Sequence, residues 1–203
     1  MNTRNRQGNI SFSAILLLII VASIALYLVS VYNGLVTQSQ AINSSWAQVQ
    51  SQYQRRMDLI PNLVSTVKGE ANFEKSTLID VINARANATK ITMSPELLNN
   101  PERFSQFQKA QGELGSTLSR LMVTVEKYPD LKTNQQFAQL MDEIAGTENR
   151  IAVARRDFNN VVQSYDTTIA KFPTNLFAQQ FGFKHKEYFQ AEASAAQAPK
   201  VEF

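Results

Sequence analysis

A chain of 203 residues and 22.8 kDa carries one domain of ordinary size plus an appendage, not two catalytic domains. Hydrophobic residues make up 44% of it but charged ones only 18%, so a long uncharged stretch lies somewhere within. Seven Gly and six Pro are too few for turn-rich sheet architectures, and the absence of Cys excludes disulfides, thiolate nucleophiles and Cys-held clusters. The net charge of +3 owes two positives to Arg4 and Arg6. From Gly34 onward 18 Lys and Arg face 17 Asp and Glu, so no basic patch attracts phosphate backbones, and nucleic acid is not an expected partner.

Between Arg6 and Arg55 there is no charged residue, and residues 12–32 are apolar apart from Ser13, Ser23 and Ser30. As a helix those residues span about 31 Å, the thickness of a hydrocarbon core. A cleaved signal peptide is the rival reading, with Arg4 and Arg6 before the apolar run and Ser23-Ile24-Ala25 as a small-x-small site. The run continues through Leu26, Leu28, Val29 and Val31, beyond a normal signal segment, and Tyr27 and Tyr32 suit an interfacial belt. A transmembrane helix is the better fit. Arg4 and Arg6 precede it and no positive residue follows Tyr32 until Arg55, so the positive-inside rule puts the N-terminus in the cytoplasm and the rest outside the cytoplasmic membrane.

From Leu35 the apolar residues recur at helical spacing through Ile42, Trp46, Val49, Tyr53 and Ile60, predicting a helix that continues out of the membrane. Pro61 predicts a kink or restart, after which Leu63, Val64, Val67, Ala71, Leu78 and Val81 carry the stripe to about Ala88. Ser94-Pro95-Glu96 and Asn100-Pro101-Glu102 each read as an N-cap followed by Pro at the first helical position. The second long helix begins at the latter and steps by seven through Phe107, Leu114, Leu121 and Tyr128, with Phe104, Leu118 and Val125 on a second line. A third opens with a capping box from Thr133 to Gln136 and repeats Phe137, Ile144, Ile151, Phe158, Tyr165 and Phe172 at intervals of seven. That period of 3.5 predicts left-handed packing, within one chain or between copies. A shorter amphipathic helix follows Pro173, and residues 190–203 form an Ala-rich tail expected to be disordered.

The fold class is therefore all-α: a short cytoplasmic segment 1–11, a transmembrane helix 12–32, an antiparallel bundle 33–189 of three long helices and a shorter fourth, and a tail 190–203. For chemistry there is little. Gly182 stands three before the single His185, so the Glu-x-x-His pairs of di-iron bundles are absent. One His builds no ordinary zinc site, no Gly-x-Ser-x-Gly elbow occurs, and the glycines form no phosphate loop. No cofactor, metal or catalytic residue is expected. Asp58, Asn62, Arg85, Arg120, Glu148, Asn149, Arg155 and Arg156 fall within or beside the seams, either as interhelical ion pairs or as a polar groove for a partner peptide or lipid headgroup.

The string Arg55-Arg56-Met57-Asp58-Leu59-Ile60-Pro61-Asn62-Leu63-Val64, with Val67-Lys68-Gly69, is the densest part of a wider pattern. It includes Tyr32-Asn33-Gly34-Leu35-Val36, Trp46, Ala84-Arg85, Tyr128-Pro129-Asp130-Leu131-Lys132 and Glu148-Asn149-Arg150-Ile151. It ends with Ala154-Arg155-Arg156-Asp157-Phe158-Asn159, Phe172-Pro173 and Phe181-Gly182-Phe183. In these residues the chain resembles the LemA family of bacterial membrane proteins. The resemblance implies one N-terminal transmembrane helix and a soluble antiparallel bundle, names no activity, and does not settle which side of the membrane the bundle occupies. Glu70 and Phe73 depart from the family's Tyr and His, so no role of that pair carries over. In the Asp-Leu-Ile-Pro-Asn string, Pro61 frees the Met57 carbonyl, and the Asp58 and Asn62 side chains are expected to satisfy the opened backbone. The motif is then either a built bend or a docking notch. The function expected is a membrane-anchored scaffold contacting the bilayer and other envelope proteins, and self-association as a homo-oligomer is left open. The alternatives are a self-assembling coat or fibre, or an enzyme using carboxylates such as Asp58 and Glu148.

Overall fold

A computed structural model describes residues 12–69 and 73–190. The expected cytoplasmic segment 1–11, Glu70, Ala71 and the tail from 191 onward lie outside the described residues. Five α-helices follow one another: α1 (Phe12–Lys68), α2 (Lys75–Thr89), α3 (Pro101–Val125), α4 (Pro129–Thr133) and α5 (Gln135–Ala170), with 3-10 turns at Pro95–Asn99 and Thr174–Leu176. The described residues contain no strand, and the class is all-α as the sequence predicts.

α1 is one helix of 57 residues, and its N-terminal part is long and apolar enough to cross a membrane. There Phe12, Leu17, Leu18, Leu26 and Val29 are all exposed, as lipid-facing side chains are. The helix runs on through Pro61 without restarting and ends at Lys68, beside Gly69. No restart occurs near Ile60; the helix ends instead before Gly69, where a residue of low helix propensity coincides with the turn toward α2.

α1 and α5 lie antiparallel along one another. Trp46 packs against Phe158, with ring centroids 5.5 Å apart, while Arg56 meets Glu148 and Arg55 meets Glu143 farther along. α3 runs parallel to α1 and reaches it through long side chains, Phe104 and Phe107 to Trp46, Phe107 to Tyr53, and Gln111 to Arg56. The heptad positions Phe137, Ile144, Ile151, Phe158 and Tyr165 are all buried, and so are Leu114, Leu118, Leu121 and Val125 of α3. The seven-residue repeat is thus used inside one chain.

Several local expectations shift. Asn134, not Thr133, caps α5, its Oδ1 accepting the Phe137 amide at 3.1 Å, because Thr133 closes the α4 turn by donating to the Asp130 carbonyl. Phe172, the last heptad position, is 78% exposed, since α5 stops at Ala170. Asn100 caps α3 as read, accepting from the Arg103 amide at 3.0 Å. Among the described residues no helix follows Pro173 beyond the 3-10 turn: residues 183–190 form no regular element, and α2 is the shorter helix beside the long α1, α3 and α5.

Buried apolar side chains form two clusters. One is built on Leu35, Trp46, Tyr53, Phe104, Phe107, Ile151, Phe158 and Tyr165, on the membrane side. The other, on Ile60, Leu63, Val81, Leu114, Leu121, Phe137 and Ile144, lies at the far end. The clusters part between Tyr53 and Met57 on α1, between Phe107 and Leu114 on α3, and between Ile144 and Ile151 on α5.

Candidate functional site

The gap between the two clusters is filled by a polar layer. Arg56 lies on the core stripe of α1, three residues after Tyr53 and four before Ile60, and is only 1% exposed. A buried guanidinium must be paired. Its Nη1 donates to Glu148 Oε2 at 2.7 Å, and its Nη2 donates to the Gln111 carbonyl at 3.3 Å and to Gln111 Oε1. Its Cζ stands 5.2 Å from the centroid of the Tyr53 ring. Gln111 is itself buried, and both Arg56 Nε and Gln111 Nε2 lack a hydrogen-bond partner within the protein.

Glu148 connects this layer to solvent, its side chain being 53% exposed although it closes on Arg56. Beside it opens a cavity of about 370 Å³ lined by Tyr53, Arg56, Lys109, Gln111, Glu148 and Arg155. Three of these are cationic and one is a carboxylate, so the cavity offers a surplus of donors. Asn149 borders the broader grooves on the neighbouring faces of α5.

Of the other residues singled out in the sequence, only Arg155 reaches the cavity beside the layer. Arg85 of α2 donates from Nε to the Met57 carbonyl at 3.0 Å, the very carbonyl that Pro61 leaves without an amide donor. This corrects the expectation for Asp58 and Asn62. Asp58 is exposed and accepts from Gln54 Nε2 at 2.8 Å, while Asn62 is exposed with its carbonyl taken by the Thr66 hydroxyl. Arg120 is exposed on α3, and Arg156 is exposed 3.6 Å from its neighbour Asp157. Arg155 is half-buried, donating to the Gln190 carbonyl at 3.0 Å with its Cζ 4.8 Å from the Phe189 ring centroid. Asp58 and Glu148, the carboxylates of the enzyme alternative, do not converge.

Sequence reading missed Arg56 and Gln111, because a stripe traced through apolar residues alone steps from Tyr53 to Ile60 and passes over the Arg between them. It also missed the clasp that holds residues 183–190 to α5. Asn159 bonds both ways to Phe189, Nδ2 to the carbonyl and Oδ1 from the amide, each at 2.9 Å. Asp166 accepts the Lys186 amide at 3.3 Å and stands 3.4 Å from His185 Nδ1. His185, expected to be solvated, is 70% exposed in its side chain and makes this contact from the surface. Burial, then the Asp166 charge, push the Tyr165 phenol up to about 12, and its hydroxyl donates to the Lys184 carbonyl at 3.1 Å. Burial lowers the Lys186 ammonium against the pull of Asp166, and burial followed by Asp166 raises Tyr188. Among the described residues no three His, Asp or Glu side chains are grouped to hold a metal ion.

A long apolar helix that passes without a break into a packed bundle defines a membrane-associated helical protein in contact with the lipid bilayer. The chain belongs to the LemA family, whose sequence profile matches residues 45–203. Among curated proteins it is similar to magnetosome protein MamQ 2 of Paramagnetospirillum magneticum strain AMB-1, 29% identical over 198 residues that cover 90% of this chain and 72% of the relative. It is also similar to magnetosome protein MamQ of Magnetospirillum gryphiswaldense strain MSR-1, 28% identical over 84% of this chain and 68% of that one. Protein LemA of Metamycoplasma hominis is 26% identical over 78% of this chain and 68% of its own length.

Proposed function

We propose that this protein is a single-pass, membrane-anchored scaffold that docks other envelope proteins and catalyses no reaction, with its N-terminus in the cytoplasm and its bundle on the extracytoplasmic side. The observation that carries the reading is α1 itself. One helix of 57 residues serves as both anchor and core element, so the bundle is held to the bilayer without a flexible linker. The open Arg56-Glu148 cavity and the grooves flanking Asn149 supply polar docking surface, and Asp58, Asn62, Arg120 and Arg156, with Pro61 between the first two, add exposed positions elsewhere on the bundle. The similar proteins named for the magnetosome carry the name of a cellular structure rather than of a reaction, which favours an organising role.

The coat or fibre alternative loses its main support, because the α5 seam is already filled from within the chain. Crosslinking in native membranes followed by mass spectrometry separates the readings. Distinct envelope proteins recovered at fixed sites are the expected outcome, whereas a ladder of self-adducts supports the coat. If Asp58→Asn or Glu148→Gln abolishes a cellular phenotype while melting temperature and crosslinks stay intact, the scaffold reading gives way to the enzyme.

A further inference from the structure

Because α5 runs antiparallel to α1, its C-terminal end returns to the level where α1 leaves its apolar segment. Val31 packs against the same cluster as Leu35, Ile169 and Ala178. Tyr32, the last residue of the apolar run, has its ring 5.5 Å from Phe181 and 5.8 Å from Phe183, both edge-on. Gly182 makes this pairing possible: its φ of +83° is the left-handed conformation that turns the chain between the two rings. Rings in contact share one depth whatever the tilt of α1, so the base of the bundle sits where the membrane span ends.

This base is apolar in an unusual place. Phe172 is 78%, Leu176 52% and Phe181 37% exposed, although each is large enough to be expected inside. It is also of one charge sign. Lys171, Lys184, His185 and Lys186 fall in residues 171–186, and no Asp or Glu does. Glu187 follows directly, its amide donating to the Leu98 carbonyl, and Asp166 of α5 is taken up by His185 and the Lys186 amide. Exposed aromatic and aliphatic side chains beside cations, level with an interfacial Tyr, are the composition of a surface that lies in a headgroup layer.

We propose that the turn of residues 171–185 is a second membrane-contact surface, seating Phe172, Leu176 and Phe181 in the interface while Lys171 and Lys184 engage anionic lipid headgroups. The bundle then stands on the bilayer at two points, the α1 span and this base, which fixes its tilt and the height of the Arg56 layer.

The chain contains no Cys, so single labels can be placed without removing any. The test uses the full chain in nanodiscs of phosphatidylcholine, with or without phosphatidylglycerol, bearing an environment-sensitive dye at Phe172→Cys or Leu176→Cys. Val123→Cys, 71% exposed near the end of α3 that adjoins the far cluster, is the control. Lipids brominated near the headgroup are expected to quench the first two labels several-fold more than the third. Phosphatidylglycerol should deepen the quenching, and a Lys171→Glu/Lys184→Glu pair should abolish that increment. Equal quenching at all three positions overturns the proposal. So do labels at 172 and 176 that are shielded from an aqueous quencher yet untouched by the brominated lipid, since a protein then covers the base. An increment from phosphatidylglycerol that survives charge reversal overturns the headgroup assignment.

Discussion

Proline at position 61 deprives the Met57 carbonyl of its amide partner, yet α1 continues because Arg85 Nε supplies a donor from a different helix. A local defect has been converted into a tertiary tie between α1 and α2. The relation is testable as a cycle. Arg85→Ala in the wild type should cost about 1–2 kcal/mol by orphaning a carbonyl. In a Pro61→Ala background the amide restored at position 61 donates to the Met57 carbonyl, and the same Arg85 substitution should cost markedly less. Chemical denaturation of the four proteins measures the coupling, and an equal cost in both backgrounds would refute the tie. Arg56 sets a second residue-scale expectation. Glu148→Ala strands a buried guanidinium on Gln111 alone and should destabilise by on the order of 2–4 kcal/mol. Glu143→Ala breaks only the Arg55 contact at 3.7 Å between side chains that are half exposed, and should change stability by less than about 1 kcal/mol.

At the scale of elements, what was legible depended on whether the partner was local. The α3 cap at Asn100 and the heptads of α5 through Tyr165 repeat along their own helices, so spacing discloses them. The segment after Pro173 carries enough aromatic residues to look amphipathic, yet its backbone partners are distant. Lys186 donates to Asp166, Glu187 to the Leu98 carbonyl, Phe189 to Asn159 and Gln190 to Gln108. No local period encodes those bonds, and they hold the chain against α3, α5 and the Pro95–Asn99 turn instead of in a helix of its own. The site divides in the same way: Glu148 was legible as a charge beside a seam, whereas its partner Arg56 was hidden within one. Ile151, 2% exposed, tests the α5 seam. Ile151→Asp buries an unpaired carboxylate and should cost more than about 3 kcal/mol or unfold the domain. A melting temperature equal to wild type would contradict the packing described. Tyr165 adds a pH dependence with a definite sign. Its phenol ionises near 10 when unfolded and about 12 in the fold, so its contribution is complete below pH 10 and lost as pH rises toward 12. Tyr165→Phe, which cannot ionise, should lose less melting temperature than wild type between pH 9 and about 11.5. An identical alkaline decline in both proteins would remove Tyr165 as its source.

For the whole molecule the decisive quantity is which side of the membrane the bundle occupies, and folding changes how the charges around the span look. In the folded chain Phe181 and Phe183 pack on Tyr32, so the segment that carries Lys171 and Lys184 brings positive charge toward the far end of the apolar run. Insertion, however, responds to Lys and Arg within about 15–20 residues of the span along the sequence. On that measure Arg4 and Arg6 precede it, and the far side carries no charge until Arg55. Lys171 and Lys184 reach the span only after α5 has packed on α1, too late to set orientation. A Cys placed at Asn2 should therefore be shielded from an impermeant thiol reagent in intact spheroplasts, whereas one at Val123 or Ala195 should be labelled. Arg4→Glu with Arg6→Glu should weaken that asymmetry, while Lys171→Glu with Lys184→Glu should leave it unchanged. Labelling at Asn2 with protection at Val123 and Ala195 would invert the topology, and the basic base of the bundle would then face the cytoplasmic leaflet.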